Sequence, residues 1–562
     1  MLSSKTTVPL PASGIIVRHA GERRYAYHVD QTYRNTKGQP TNKRTQIGRV
    51  DDQGRLVPND AYWRFYPDTP TQPEVVQAGD TSTPIAKVLP AVDSNVSVGT
   101  GFLVNQLAED LGINQMLTNA LGASRADQLA TVATYMIARG NIMDHLDDFC
   151  DEQLLASPPV TGQQASRLFA SIDHADRMRF FRPWASAQPA SSYYAYDVTS
   201  FSTYAHGIID AEWGYNRDGE QLPQINLGCY INQTTGLPVF YLTYPGSIVD
   251  VAHLPSMMAF NTELGIADVS FVMDQGFCST TNLNYMHNQH LKLIVKTSMR
   301  QKTIRNGVDQ VHDTIGLQRY RIPERVHAMS LPGHYYGIDA TLHIYYDLTL
   351  ADRMQTDLDR HLDVQDTQLA HLDHIEASQI KRYELFTIDR HADGTFTYRR
   401  DLDKIDQTAR YYGYFTLLST TGTDAATTLD IYRRKDLIEK TFDELKNHID
   451  MHRLHTWSTA TTDGKLFTAF YALILTAKLQ TVLAPLMRER GWSKHTITDQ
   501  LDKIRLVTTT NGVRLINPLT KTQRDILAAF GYTPDQLDAY ITTITTPQPP
   551  HTSITQIPAT HP

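Results

Sequence analysis

The feature that most constrains this chain is a run of strand-like segments between residues 190 and 300: YYAYDVTSF, INLGCYI, PVFYLTY, VSFVMD and LKLIVKT. Each is short and rich in aromatic and β-branched residues. Turn sequences such as NRDGEQLP and NQTTGLP separate them, as expected of strands in a sheet. Helical-looking stretches follow only the third strand (VAHLPSMMAFNTELG) and the fourth (TTNLNYMHNQ). Three meandering strands, then a helix, a strand and another helix, predict an α/β chain with a mixed sheet. Periodicity alone does not single out a fold beyond that.

Two acidic residues fall inside this sheet. Asp197 lies in the middle of YYAYDVTSF, and Asp274 directly follows VSFVM, ahead of the turn residue Gly276. A carboxylate at such a position is costly to bury unless it is paired or binds a metal. Either aspartate alone reads most simply as a cap on a turn; the two together at the core of one sheet point to a metal site.

A third carboxylate stands on the segment YRRKDLIEKTFDELKNHID, which predicts one helix from Tyr432 to Asp450. At a uniform helical pitch Tyr432, Lys435, Glu439 and Lys446 fall within an arc of about 60°. Ile438, Phe442, Leu445 and Ile449 form an apolar stripe roughly 80° away. By itself that charged file also fits a solvated flank with ion pairs one turn apart.

The file has a spacing that resembles a known signature. Tyr432, Lys435, Glu439 and Lys446 match the Y-x2-R-x3-E-x6-K pattern of DDE transposases of bacterial insertion sequences, the superfamily commonly called insertion-sequence family four. Lys435 departs from the usual arginine; it keeps the charge and loses the bidentate fork. YDVTSFS, GYNRDGEQLPQINLGCYINQTTGLPVFYLTYPGS, FVMDQGFCSTTNL, YYGYFTLLST and MHRLHTWSTATTDGKLFTAFYALIL also look like family sequence.

The resemblance implies a ribonuclease H-like mixed-sheet catalytic core with an insertion between strands 4 and 5. Asp197, Asp274 and Glu439 would be the catalytic metal ligands, and Tyr432, Lys435 and Lys446 would contact DNA phosphates without reading sequence. An all-oxygen donor set suits two Mg²⁺ (or Mn²⁺) ions, which serve in-line phosphoryl displacement. The implied activity is cut-and-paste transposition: endonuclease cleavage at the element's ends, then strand transfer of the 3′-hydroxyl into target DNA. The implied partners are double-stranded DNA (terminal inverted repeats and target) and a second copy of the chain, as a homodimer on DNA. A ribonuclease H-fold nuclease without strand transfer and a catalytically retired DNA-binding protein remain as alternatives.

The domain organisation then reads as a β-rich unit over 1–69, a linker over 70–98 and a helical region over 99–185. That helical region is either a DNA-end-binding domain or an ordinary bundle. The catalytic core occupies 186–299 and 408–490, split by an insertion over 300–407. A C-terminal helical region follows over 491–545, with a disordered tail over 546–562. The three cysteines form no C-x-x-C pair, which argues against a thiolate zinc site or a disulfide framework. The apolar stretch Leu466–Leu479 is short and carries Thr468, Thr476 and Lys478, so it predicts a buried helix and no membrane span. With no secretory signal pattern at the N-terminus, the expected location is the cytoplasm, in association with a bacterial nucleoid. The net charge of −8 weighs mildly against a nucleic-acid binder, since phosphate neutralisation favours basic chains.

Overall fold

Near the N-terminus, strand-forming residues alternate with turn sequences and build a small sheet. The computed structural model describes residues 8–20, 23–34, 40–51, 53–66, 92–190 and 193–545, in two units, Met1–Leu89 and Pro90–Pro562. In the first, β1 (Ile15–Ala20), β2 (Arg23–Arg34), β3 (Pro40–Val50) and β4 (Leu56–Pro58) pair antiparallel in that order. Ala26, Ile47, Val50, Leu56 and Tyr62 close a core over it. Residues 70–91 of the expected linker and the tail 546–562 lie outside the described residues.

The second unit opens with β5 (Val92–Ser97) and continues into helices from Gly99 to Ser186. Glycine sets their boundaries, Gly112 and Gly122 both taking positive φ where one helix ends and the next begins. These helices pack into the same hydrophobic core as the sheet and the long helix Thr459–Arg490. Phe181 joins the layers, its ring 5.1 Å from Phe240 and 5.4 Å from Phe470.

The central sheet has nine strands: β6 (Tyr193–Ser202), β7 (Gln224–Asn232), β8 (Pro238–Pro245), β9 (Ser270–Met273), β10 (Lys292–Lys296), β11 (Arg321–Ile322), β12 (Val326–Tyr335), β13 (Ile338–Asp347) and, after the separate hairpin of β14 (Phe386–Arg390) and β15 (Phe396–Arg400), β16 (Tyr414–Ser419). Their order across the sheet is β11-β12-β13-β16-β10-β9-β6-β7-β8. β9 runs parallel to both β6 and β10, and the other pairs are antiparallel, so the sheet is mixed.

Three expectations need correction. The fifth strand of the sheet is β10, which pairs with β9 and ends before residue 300; the inserted segment therefore follows strand 5 rather than separating 4 from 5. Part of that segment also belongs to the core sheet. The hairpin β12–β13 joins β16 through β13, and Leu342, Ile344 and Tyr345 are fully buried there. The helix Leu348–Ala370 and the β14–β15 hairpin form the separate remainder, with a core of Leu358, Leu362, Leu369, Ile375, Tyr383 and Phe386. Finally, the C-terminal region is not wholly helical. It contributes β17 (Arg505–Thr509) and β18 (Arg514–Ile516), and β17 pairs with β5. The end of the expected linker is thus a strand whose partner lies some four hundred residues later.

Among the described residues one helix, Thr459–Arg490, is long and apolar enough to cross a membrane, and 72% of its most apolar stretch is buried inside the protein. It is the core helix of this unit.

Candidate active site

The register of two parallel strands brings the aspartates together. Tyr196 on β6 pairs with Met273 on β9, so the next residues, Asp197 and Asp274, are neighbours at the C-terminal end of β9. In open α/β sheets such strand ends are where ligands bind. Glu439 arrives from the helix Asp436–Asp443, which packs on β6 and β7. All three carboxylates line one open cleft of about 610 Å³, together with Arg217, Asp250, Gly276 and Phe277.

Lys435 lies across this group. Its Nζ is 3.7 Å from Asp197 Oδ2 and 3.1 Å from Glu439 Oε1, to which it donates a hydrogen bond. Those two oxygens are therefore no more than about 6.8 Å apart. The lysine side chain is buried while the Glu439 side chain is mostly exposed, so the glutamate has room to move and the cation does not. Tyr432 donates its hydroxyl to Asp274 Oδ1 at 3.0 Å.

Burial pushes the Asp197 carboxyl above the usual range, against the opposing charges of Lys435 and Arg217 and a hydrogen bond from the Val198 backbone N–H. At Asp274 burial acts in the same direction, but the Gln275 backbone N–H, Lys435 and the Tyr432 hydroxyl outweigh it and hold the carboxyl low. Burial pulls the Lys435 ammonium down, and the three surrounding carboxylates more than reverse this. Burial beside Asp274 pushes the Tyr432 hydroxyl well up, so it stays a proton donor. The carboxylates are not drawn to within 4.8 Å of one another as a threesome. Among the described residues Asp443, Glu444 and His448 are, but there Glu444 is already held by Lys494 and Gln480.

The expected single helix from Tyr432 to Asp450 is broken twice. Tyr432 lies in the last turn of the helix Ala425–Arg433, and bonds of the tighter i→i−3 kind, such as Lys435 N to Tyr432 O at 3.0 Å, carry the chain into Asp436–Asp443. A π-helical turn then runs from Glu444 to His448. A wider turn changes the angular advance per residue, so the file computed at uniform pitch does not persist to its end. Lys446 accordingly leaves the cleft; it is buried, and its Nζ donates to both carboxylate oxygens of Asp218, at 2.8 and 2.6 Å. The structure brings Asp197, Asp274, Glu439, Tyr432 and Lys435 together and places Lys446 apart from them.

Sequence reasoning missed Arg217 and Asp250. They pair with each other in the cleft wall, where Asp250 also accepts a hydrogen bond from Tyr244 at 2.6 Å. Arg217 stands inside NRDGEQLP, which reads as a turn, and Asp250 precedes the helical-looking VAHLPSMMAF far along the chain, so nothing local in the sequence pairs them.

Comparison with known proteins identifies the family. The family described as "Transposase DDE domain" matches residues 189–475, more than half of the chain and the whole of the cleft. The chain belongs to the transposase DDE-domain family. It is a DDE-type transposase, of a family that works with divalent metal ions. A search of curated proteins finds no match. A solved piggyBac transposase synaptic complex with hairpin DNA is similar at 10% identity, over 81% of this chain and 84% of that one, with a TM-score of 0.34. That likeness is too distant to carry an argument about the site.

Proposed function

We propose that this chain is an insertion-sequence transposase of the family-four type, with a ribonuclease H-like core, which cuts DNA at the element's ends and joins the 3′-hydroxyl to target DNA. The observation that carries the reading is the convergence of Asp197, Asp274 and Glu439 on one open cleft with a cation, Lys435, between them. Three carboxylates in one cleft repel one another and call for positive charge, part of which the lysine ammonium supplies. Their oxygens suit Mg²⁺ or Mn²⁺, two ions of which would activate the attacking oxygen and stabilise the leaving one. The residues around them orient the substrate. Tyr432 fixes Asp274, Lys435 and Arg217 offer positive charge to a phosphate in the cleft, and Glu439 is free to close. Lys446 would reach a phosphate only after leaving Asp218. The substrate is double-stranded DNA, held by a homodimer.

The test uses a supercoiled plasmid carrying the gene with its flanking DNA. Wild-type protein with Mg²⁺ is expected to cleave at the element's ends, and Asp197→Ala, Asp274→Ala and Glu439→Ala are each expected to abolish cleavage while still binding the DNA. Full-rate cleavage by any one of them overturns the site. Strand transfer from a pre-cleaved 3′-hydroxyl end separates a transposase from a nuclease that only cuts.

A further inference from the structure

The chain is acidic overall, and its first sheet is not. Between Ile15 and Val50 eight lysines and arginines stand against two acids, in a protein of net charge −8. Strand alternation sends successive side chains to opposite faces. On one face Ala26, Val50 and Leu56 close onto Tyr62 of the helix Asp60–Phe65. His28 belongs to that side too, its ring stacked on Phe65 at 4.1 Å and its Nδ1 hydrogen-bonded with the Tyr66 hydroxyl at 2.8 Å. Among the described residues the unit has one helix, and it covers this side.

Register sets the opposite face. Arg18, Tyr25 and Arg49 form one row across β1, β2 and β3, and Ile16, Tyr27 and Gln46 form the next. Arg44, opposite Val29, lays its guanidinium over the Tyr27 ring at 5.3 Å. Arg18 and Gln46 are exposed, and both tyrosines, Arg44 and Arg49 partly so. No position in these rows is acidic, and among the described residues no carboxylate pairs with Arg18, Arg44 or Arg49. Asp30 accepts from Thr45 at 2.8 Å, and Thr45 pairs with His28 on the helix side. β1 to β3 span about 10 Å at the usual strand spacing, within the width of a B-form major groove, about 12 Å. Arginines stand on the flanking strands and tyrosines on the central one. In such a groove the arginines would meet the phosphates of its two walls, while Gln46 and the tyrosines face base edges. An RNA duplex offers no such fit, because its major groove is deep and narrow.

We propose that the open face of the β1–β4 sheet binds double-stranded DNA in the major groove and is the surface that grips the element's end. Which DNA it grips rests on the transposase reading above; that it grips a duplex rests on the face itself. The helices between Gly99 and Ser186 spend their apolar faces in the main core, and the sheet takes the end-binding role in their place. A local basic face also reconciles DNA binding with an acidic chain, since affinity follows the charge that meets the phosphates rather than the net charge.

Full-length protein in EDTA is titrated by anisotropy against fluorescein-labelled duplexes, one from the DNA flanking the gene and one of scrambled sequence, over a range of salt. Arg18→Ala/Arg49→Ala is expected to lower the log–log salt slope by about 2 on both duplexes alike, about one for each phosphate contact. Arg18→Lys/Arg49→Lys is expected to keep the slope. Gln46→Ala is expected to keep it too and to lose about 10-fold of the preference for the flanking duplex. The wild type is expected to shield guanine N7 from dimethyl sulfate, since that atom faces the major groove. Three results overturn the proposal: a folded alanine pair with the full slope, guanine N7 left open to methylation in the complex, or a single strand or RNA duplex of the same length bound as tightly. Should the alanine pair unfold, the lysine pair and the N7 shielding decide. Binding in EDTA is read without chemistry, so a wild type that passes these tests but never cleaves with Mg²⁺ sinks the transposase reading and leaves the surface standing. Cleavage at the element's ends that is unaffected by the alanine pair sinks the surface alone.

Discussion

Lys435 decides the electrostatics of the cleft, because it is the buried cation that offsets three carboxylates. Replacing it with methionine keeps the stem and removes the charge, leaving Asp197 buried with less compensation; the cost of breaking such a pair is about 3 kcal/mol. Lys435→Met is therefore expected to melt earlier than wild type in EDTA and to recover more of its midpoint on adding Mg²⁺, since a bound cation replaces the missing one. A variant that gains no more from Mg²⁺ than the wild type argues against ions in this cleft. A second buried lysine makes a pH prediction. Lys465 donates to Asn141 Oδ1 at 2.9 Å, and burial pulls its ammonium down to about 7. Between about pH 7 and pH 10 the unfolded chain holds this proton and the folded one does not, so stability rises with pH there, by about 1 kcal/mol per unit from this group. Below pH 7 both states hold the proton, and the fold bears the full cost of a buried charge. Lys465→Met is expected to stabilise the protein at neutral pH and to flatten the rise, read from urea midpoints at pH 7, 8 and 9. Parallel curves for the two proteins would place the ammonium in a more solvated setting.

At the scale of elements, the helices Gly162–Ser171 and Thr459–Arg490 cross where only glycine fits. A Cβ on Gly464 would lie 2.0 Å from the Phe169 carbonyl oxygen and 2.6 Å from its Cα. Backbone cannot swing aside as a side chain can, so the helices must part. Gly464→Ala is expected to cost about 1–3 kcal/mol and to lower the melting midpoint by several degrees, and an unchanged midpoint would mean that the crossing is loose. That glycine is an ordinary helix residue in the sequence, and the contrast with the aspartates is instructive. Asp197 and Asp274 were legible because each sits in or just after a short strand with its own local pattern, and one parallel register suffices to make them neighbours. Glu439 and Lys435 were legible because, with Tyr432, their spacing resembles a known signature, where the helical file alone fitted a solvated flank equally well. Lys446 was not, because the tight bonds after Tyr432 and the π turn at Glu444 change the helical phase, and these are imposed by packing rather than by local composition. Arg217 was hidden for a different reason: a turn sequence tells where the chain reverses and says nothing of what its charged residues face.

At the scale of the whole molecule, the second unit is closed by contacts between its sequence extremes. β5 pairs with β17, Val98 N donates to Ile504 O at 2.9 Å, Thr100 Oγ1 to Asp502 Oδ1 at 2.8 Å, and Gly99 lies directly against the Leu501 carbonyl. Polar VDSNVS reads as linker because its partner is far away along the chain and its own periodicity is weak. The region after Arg490 also buries Ile497, Leu501, Ile504, Leu506, Ile526, Leu527 and Leu537 in the main core. Each fully buried aliphatic side chain contributes about 1.5–3 kcal/mol, so the group is worth on the order of 10 kcal/mol, as much as the net stability of a typical domain. Deleting residues 491–562 should consequently unfold the catalytic unit rather than shed an appendage, even though every residue of the cleft lies earlier in the chain. The expected result is a truncated chain that elutes as aggregate and shows no cooperative melting by circular dichroism. A soluble 1–490 fragment that melts cooperatively and still binds DNA would show instead that the sheet and its cleft close without the β5–β17 clasp.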